Sequence, residues 1–203
     1  MPTRLETSGL ELFDRIARRD DRRTESEIQA DLRQFILSAP LNLEDSDVRV
    51  VNLEVQTGDR RRIDVEVGST VIEVKRDLRR GKIKAEAVEQ LAGYVLHRMN
   101  QTGLRYVGVL TDGTEWICYD LIDERLREIS TISVEPTAPS MERFTVWLEG
   151  VLATAQNVAP TARNIELRLG AGSSSYQIDR ATIASLYLSQ KANPTVQMKR
   201  TLW

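Results

Sequence analysis

Two residue types that build many catalytic and metal centres are almost missing from this chain. It has one cysteine, Cys118, and one histidine, His97, in 203 residues. A single cysteine excludes an internal disulfide framework and a cysteine-based zinc site. A single histidine cannot by itself support a histidine–metal cluster or Ser-His-Asp chemistry. His97 reads as a helix-surface residue, or at most a phosphate contact. No apolar run approaches the roughly 18 residues that cross a bilayer, and Met1-Pro2-Thr3-Arg4-Leu5-Glu6 lacks the apolar stretch of a secretory signal. The expected location is therefore the cytoplasm, with no membrane partner. Internal repeats and low-complexity tracts are absent too. The net charge of −2 offers no overall attraction to nucleic acid.

What remains is an ordinary globular balance, 41% hydrophobic and 29% charged, in a chain long enough for one good-sized core. Ser8 to Arg18 reads as an amphipathic helix with Leu10, Leu12, Phe13 and Ile16 inward. Thr24-Glu25-Ser26-Glu27 is a capping box that starts a second helix, which runs to about Ser38 and stops at Ala39-Pro40. Strand-like runs follow at Val48–Val55, Arg62–Val67 and Thr70–Arg76, the last two joined by a Gly68-Ser69 turn. They are expected to form an antiparallel meander. A long helix from about Lys82 to Asn100 ends near Gly103. Arg105–Thr111 and Thr114–Leu121 flank Asp112-Gly113, a strong hairpin signal, and Arg127–Val134 is a last candidate strand. The order predicts an α/β domain with a mixed sheet and helices against it, closing near Glu135-Pro136. Residues 136–203 read as a mainly helical extension or linker, with helices at Met141–Ala155 and Ala181–Ser189. Asn164–Leu169 fits either a strand or a short helix.

The chemistry concentrates at Asp64 and at Glu73-Val74-Lys75. Period-two alternation places Glu73 and Lys75 on one face of their run, with Asp64 in a matching place on the run before it. Two carboxylates and an ammonium on paired strands can hold a hard divalent cation beside a positive charge. Half-exposed strands often alternate charges in this way, but Glu73 lies within the β-branched Val71-Ile72-Glu73-Val74, which reads as a buried strand. An unpartnered carboxylate there is costly.

On the capped helix, about 100° per residue puts Glu25 on the apolar face defined by Ile28, Leu32, Phe35 and Ile36, and Glu27 off it. Glu25 can therefore reach the same site, or can serve only the helix dipole from the first turn. Gln90 and Tyr94 are one turn apart on the long helix, a face that His97 and Arg98 continue. Positive charge flanks the acids: Arg60, Arg61 and Arg62 precede Asp64, and Arg76, Arg79, Arg80, Lys82 and Lys84 follow Lys75. Such residues bind phosphates or form a solvated loop.

Taken in order, Glu25, Asp64, Glu73-Val74-Lys75 and Gln90-x-x-x-Tyr94 resemble the PD-(D/E)XK nuclease superfamily in its Q-x-x-x-Y form, over about Thr24 to Leu121. Ile63 stands where that family often has proline. Thr111-Asp112-Gly113-Thr114-Glu115-Trp116 is similar to the TDG-x-x-W hairpin of nuclease domains in restriction-modification proteins. The resemblance implies a restriction-endonuclease-like core over residues 1–135 and a DNA endonuclease that uses Mg²⁺, with Mn²⁺ able to substitute, in restriction or phage defence. Asp64, Glu73, the Val74 carbonyl and Glu25 would hold the metal. Lys75, Gln90 and Tyr94 would complete the catalytic set, and Arg62, Arg76, Arg79 and Lys82 would grip DNA.

The competing expectation is a silent nuclease-fold module that binds DNA or a partner domain without cutting. Lys199-Arg200-Thr201-Leu202-Trp203 resembles a linker toward an adenine methyltransferase. This suggests a fragment of a longer chain that carries a methyltransferase or helicase domain, and a homodimer is compatible with that reading.

Overall fold

A computed structural model of the chain describes residues 4–20, 22–39, 41, 51–56, 62–80, 82–152, 162–194 and 196–197. The sequence expectations at 48–50, 60–61, 153–155 and 199–203 fall outside them, as does the side chain of Arg62. Helix α1 spans Arg4–Ala17 and α2 spans Glu25–Ser38. Strands β1 (Val51–Gln56), β2 (Arg62–Val67) and β3 (Thr70–Val74) follow, then helix α3 (Ile83–Thr102). Next come β4 (Val107–Thr111), β5 (Glu115–Ile122) and β6 (Arg125–Ser133), and finally α4 (Ala138–Leu152), α5 (Ala162–Leu169) and α6 (Tyr176–Gln190). Thr24 caps α2 as the capping box predicts: the Glu27 amide donates to Thr24 Oγ1, and the Thr24 amide donates to Glu27 Oε2 at 2.7 Å.

The protein has an α/β fold. Its six strands form one sheet in sequence order, antiparallel except for the parallel pair β3–β4. A parallel step needs a crossover, and α3 provides it. Because β3 has neighbours on both sides and helices over both faces, its five residues are all buried. That explains its continuous rather than alternating hydrophobic pattern.

One face of the sheet carries Val65, Val67, Ile72, Val74, Val107, Val109 and Trp116 against Phe13 and Ile16 of α1 and Leu32, Phe35 and Ile36 of α2. Helix α4, beyond the break expected near Glu135, puts Phe144, Trp147, Leu148 and Val151 into this same cluster. The Phe144 ring lies 4.6 Å from Trp116, 5.6 Å from Phe13 and 5.8 Å from Phe35, centroid to centroid. The other face packs Val71, Leu110 and Ile117 under Leu91, Tyr94 and Val95 of α3. Gly108 permits that approach, since a Cβ there would stand 2.9 Å from Leu91.

Three local details depart from the sequence reading. Strand β3 ends at Val74 rather than Arg76: the Lys75 amide makes the last ladder bond, to the Thr111 carbonyl at 2.8 Å, and the Arg76 amide goes to the Glu25 carboxylate. The β4–β5 connection has three residues, Asp112-Gly113-Thr114, instead of a two-residue turn. Gly113 there adopts φ 87° against the Ile16 carbonyl, where a Cβ would come within 2.5 Å. Residues 164–169 resolve as part of helix α5. Among the described residues no helix is long and apolar enough to cross a membrane.

Phe144 is fully buried at the junction of α1, α2, α4 and β5. Truncating it to alanine is expected to cost about 3–5 kcal/mol in denaturant unfolding, the usual effect of emptying a packed aromatic site. A loss below about 1 kcal/mol would mean that α4 is not part of this core.

Candidate active site

The sheet opens where β3 ends. Regular β2–β3 pairing extends only to Val65↔Ile72. At the next step the Val74 amide donates to the Asp64 carboxylate, Oδ2, at 2.8 Å, in place of a strand partner. On its other side β3 stays paired to β4 through Glu73↔Leu110 and Val74↔Thr111. The divergence leaves a cleft at the carboxyl end of β3, reached by both helical layers.

Glu73 shares a face with Val71 and points toward α3, and its side chain is only 1% exposed. Lys75 Nζ donates to Glu73 Oε1 at 2.5 Å, while Oε2 is buried with no hydrogen-bond partner among the described residues. Glu25 arrives from the opposite layer: at the first turn of α2, its Oε1 accepts the Arg76 amide at 3.1 Å. Glu27 stays at the cap. From above, Gln90 Nε2 donates to the Tyr94 hydroxyl at 2.7 Å. Glu25, Asp64, Glu73, Lys75, Gln90 and Tyr94 line one open cleft of about 690 Å³, together with Glu86 and Glu89.

The cleft therefore gathers five carboxylates around one ammonium. Burial raises the Glu73 carboxyl to about 7, and neighbouring Asp64 pushes the same way against the opposing bond from Lys75. Burial also opposes the charge on Lys75, but the bond to Glu73 and the fields of Glu73, Glu25 and Asp64 overcome it and raise the ammonium's pKa. Lys75 is accordingly a cation at neutral pH and not a free base. Tyr94 is raised as well, by burial first, so its hydroxyl keeps its proton. Because that oxygen accepts from Gln90, its own O–H remains able to donate.

Not every expected residue comes to this place. Arg76 and Lys82 are exposed and lie outside the cleft lining, as does Arg79, whose guanidinium grips Asp77 at 3.0 and 3.1 Å. Arg98 turns away from Gln90 and Tyr94 to pair with Glu66 of β2, and His97 is exposed. Val74, expected to offer a carbonyl to a metal, stands at the strand end with its amide on Asp64. Glu86 and Glu89 escaped the sequence reading. Glu86 is one turn before Gln90 on α3, so helical spacing alone could have found it.

Among the described residues, no three His, Cys, Asp or Glu side chains form a ready-made metal cage. The carboxylates are turned to other donors: Asp64 to the Val74 amide, Glu73 to Lys75 and Glu25 to the Arg76 amide. The partnerless Glu73 Oε2 nevertheless fits a hard cation, which favours oxygen ligands. Compared with known proteins, the chain matches no family model, no curated protein and no solved structure.

The raised carboxyl of Glu73 sets a pH signature. A carboxyl whose pKa is higher folded than unfolded favours the folded state while protonated, and that advantage is lost as pH rises through the folded value of about 7. Between pH 5 and 8 without divalent metal, wild type should lose roughly 2–3 kcal/mol relative to Glu73→Gln. Parallel stability curves for the two proteins, from denaturant unfolding across that range, would refute the assignment.

Proposed function

We propose that this protein is a Mg²⁺-dependent DNA endonuclease domain that hydrolyses phosphodiester bonds, acting in restriction or phage defence. The observation that carries the reading is Glu73: a buried carboxylate with one oxygen on Lys75 and the other without a partner among the described residues, beside Asp64. Nothing about a packed structural strand calls for that arrangement, and a cation in the cleft would relieve it.

Glu73 Oε2 and Asp64 would hold Mg²⁺, with Glu25 lining the same cleft. When bound, the ion supplies positive charge to a phosphate oxygen and lowers the pKa of a nearby water. Mn²⁺ offers the same preference for oxygen donors.

The chain's own groups do the rest. Lys75, protonated and fixed by Glu73, would donate toward the attacking water and the oxyanion that develops on phosphorus. The Tyr94 hydroxyl, oriented by Gln90, would donate to a non-bridging phosphate oxygen and set the scissile group in line. Hydrolysis forms one bond from water oxygen to phosphorus and breaks one ester P–O bond, the departing oxygen taking a proton. Glu86 and Glu89 add negative charge at the cleft and so make an approaching phosphate more dependent on the cation. The Thr111-Asp112-Gly113 loop, similar to that of restriction nucleases, supports the biological setting. Its Asp112 accepts the Leu78 amide and so steadies the segment after Lys75.

Duplex DNA should be cut with Mg²⁺ or Mn²⁺ and left intact with EDTA. Lys75→Ala should lower the rate by roughly 10²–10³-fold while the protein stays folded, and Asp64→Ala and Glu73→Ala should be at least as severe. Full activity in Lys75→Ala would sink the mechanism. Absence of both cutting and Mg²⁺ binding in wild type would favour the silent binding module instead. Glu25→Ala and Glu27→Ala form a paired control. The first should weaken cutting with little effect on folding; the second should lower thermal stability by loosening the cap and leave cutting unchanged. The reverse pattern would remove Glu25 from the site.

A further inference from the structure

The fold brings together two arginine-rich segments that are far apart in sequence. Residues 14–23, spanning the end of α1 and the connection to α2, carry five arginines against three aspartates. Residues 75–82, after β3, carry five basic residues against one aspartate. Ten basic residues against four acidic ones leave a surplus of six positive charges in a protein whose net charge is −2. Arg18, Arg19 and Arg23 share one small crevice with Asp20, Arg76, Asp77 and Asp112. That crevice adjoins the cleft, because the Arg76 amide bonds Glu25 and Arg76 directly follows Lys75.

Acids and cations are not equally placed there. Asp77 and Asp112 are buried, whereas Asp20 is exposed and accepts the Arg22 amide at 2.8 Å. Asp77 is held by Arg79 and Arg80, and Asp112 by the Leu78 amide and Arg19. Arg23 is also inward, bonded to Asp31 at 2.5 Å. The exposed basic residues of these segments include Arg18, Arg22 and Arg76. Asp14 pairs with Arg18 along α1, an exposed contact that a polyanion can displace at little cost. A cation ridge thus borders an acidic cleft, each compensating the other in the overall charge.

We propose that Arg18, Arg22 and Arg76 form a phosphate-binding strip beside the cleft, which holds the phosphodiester backbone of a nucleic-acid duplex without needing the divalent cation. The inference rests on the nuclease reading for what enters the cleft, and it adds the α1–α2 connection to the substrate surface. Mechanistically it separates two tasks: the acids hold a cation and repel bare phosphate, and the ridge supplies the attraction that brings the backbone to them.

The test is binding of fluorescently labelled DNA and RNA duplexes in EDTA, read by anisotropy over a salt series. The Arg18→Gln/Arg22→Gln protein is expected to bind at least about tenfold more weakly near 0.1 M salt, with a salt slope shallower by about 2. Arg18→Lys/Arg22→Lys should recover most of that binding, since charge rather than guanidinium shape carries it. Arg127→Gln, at the far edge of the sheet, should bind as wild type does. Weakening of either duplex supports the strip, and the tighter of the two names its source. Equal affinity and slope in wild type and the glutamine variant would overturn the proposal, as would no wild-type binding in EDTA. Mg²⁺-dependent cutting of the same duplex is scored separately. A protein that binds through these arginines but never cuts keeps the strip and loses the nuclease reading, whereas one that cuts but binds independently of them loses the strip alone.

Discussion

The Glu73 carboxylate lies in a strand with no exposed residue, and the surrounding end of the molecule is organised around that charge. An ionised carboxylate in such a place demands partners, and among the described residues the fold gives it one firm bond, from Lys75, and leaves one oxygen with none. Asp64 makes the situation worse by adding a second negative charge, and Glu25 adds a third. Arrangements of this kind are ordinarily unfavourable for stability. Perturbed carboxylates gathered at a cleft are a feature that functional sites share.

The position of the cleft follows from the sheet. Because β3 is the strand that is parallel to β4 and antiparallel to β2, its carboxyl end is where pairing to β2 gives out while pairing to β4 continues. Asp64 fills the gap by accepting the Val74 amide, which fixes the acid beside Glu73. Opposite layers then meet at the opening. Helix α3 lowers Gln90 and Tyr94 from one face, and the first turn of α2 brings Glu25 from the other. Capping matters here, since Thr24 and Glu27 determine where α2 begins and therefore where Glu25 sits.

Much of this was legible in the residues. The capping box located α2 because its two reciprocal bonds need only a four-residue pattern. The oddity of Glu73 within Val71-Ile72-Glu73-Val74 pointed at the site because burial could be inferred from β-branching alone. Helical spacing separated Glu25 from Glu27. Other features depend on contacts between segments that no local pattern encodes. That the Arg76 amide would leave the ladder for the Glu25 carboxylate was invisible, so the strand was read two residues too long. Arg79 and Arg98 looked available for DNA or for the cleft, but Asp77 and Glu66 engage them. The meeting of the arginines of the α1–α2 connection with Arg76 is likewise a product of the fold, and a reading confined to the flanks of the motif passed over it.

The central claim, that Glu73 and Asp64 are the ligands of a divalent cation, is tested most directly by locating that cation. Crystals grown with Mn²⁺ and measured at its absorption edge should show one anomalous peak about 2.1 Å from Glu73 Oε2 and from an Asp64 oxygen, the distance expected for small hard cations on carboxylates. The peak should vanish in Glu73→Gln crystals. A fully occupied peak at Glu86 and Glu89 instead, or no peak in the cleft at saturating Mn²⁺, would contradict the account.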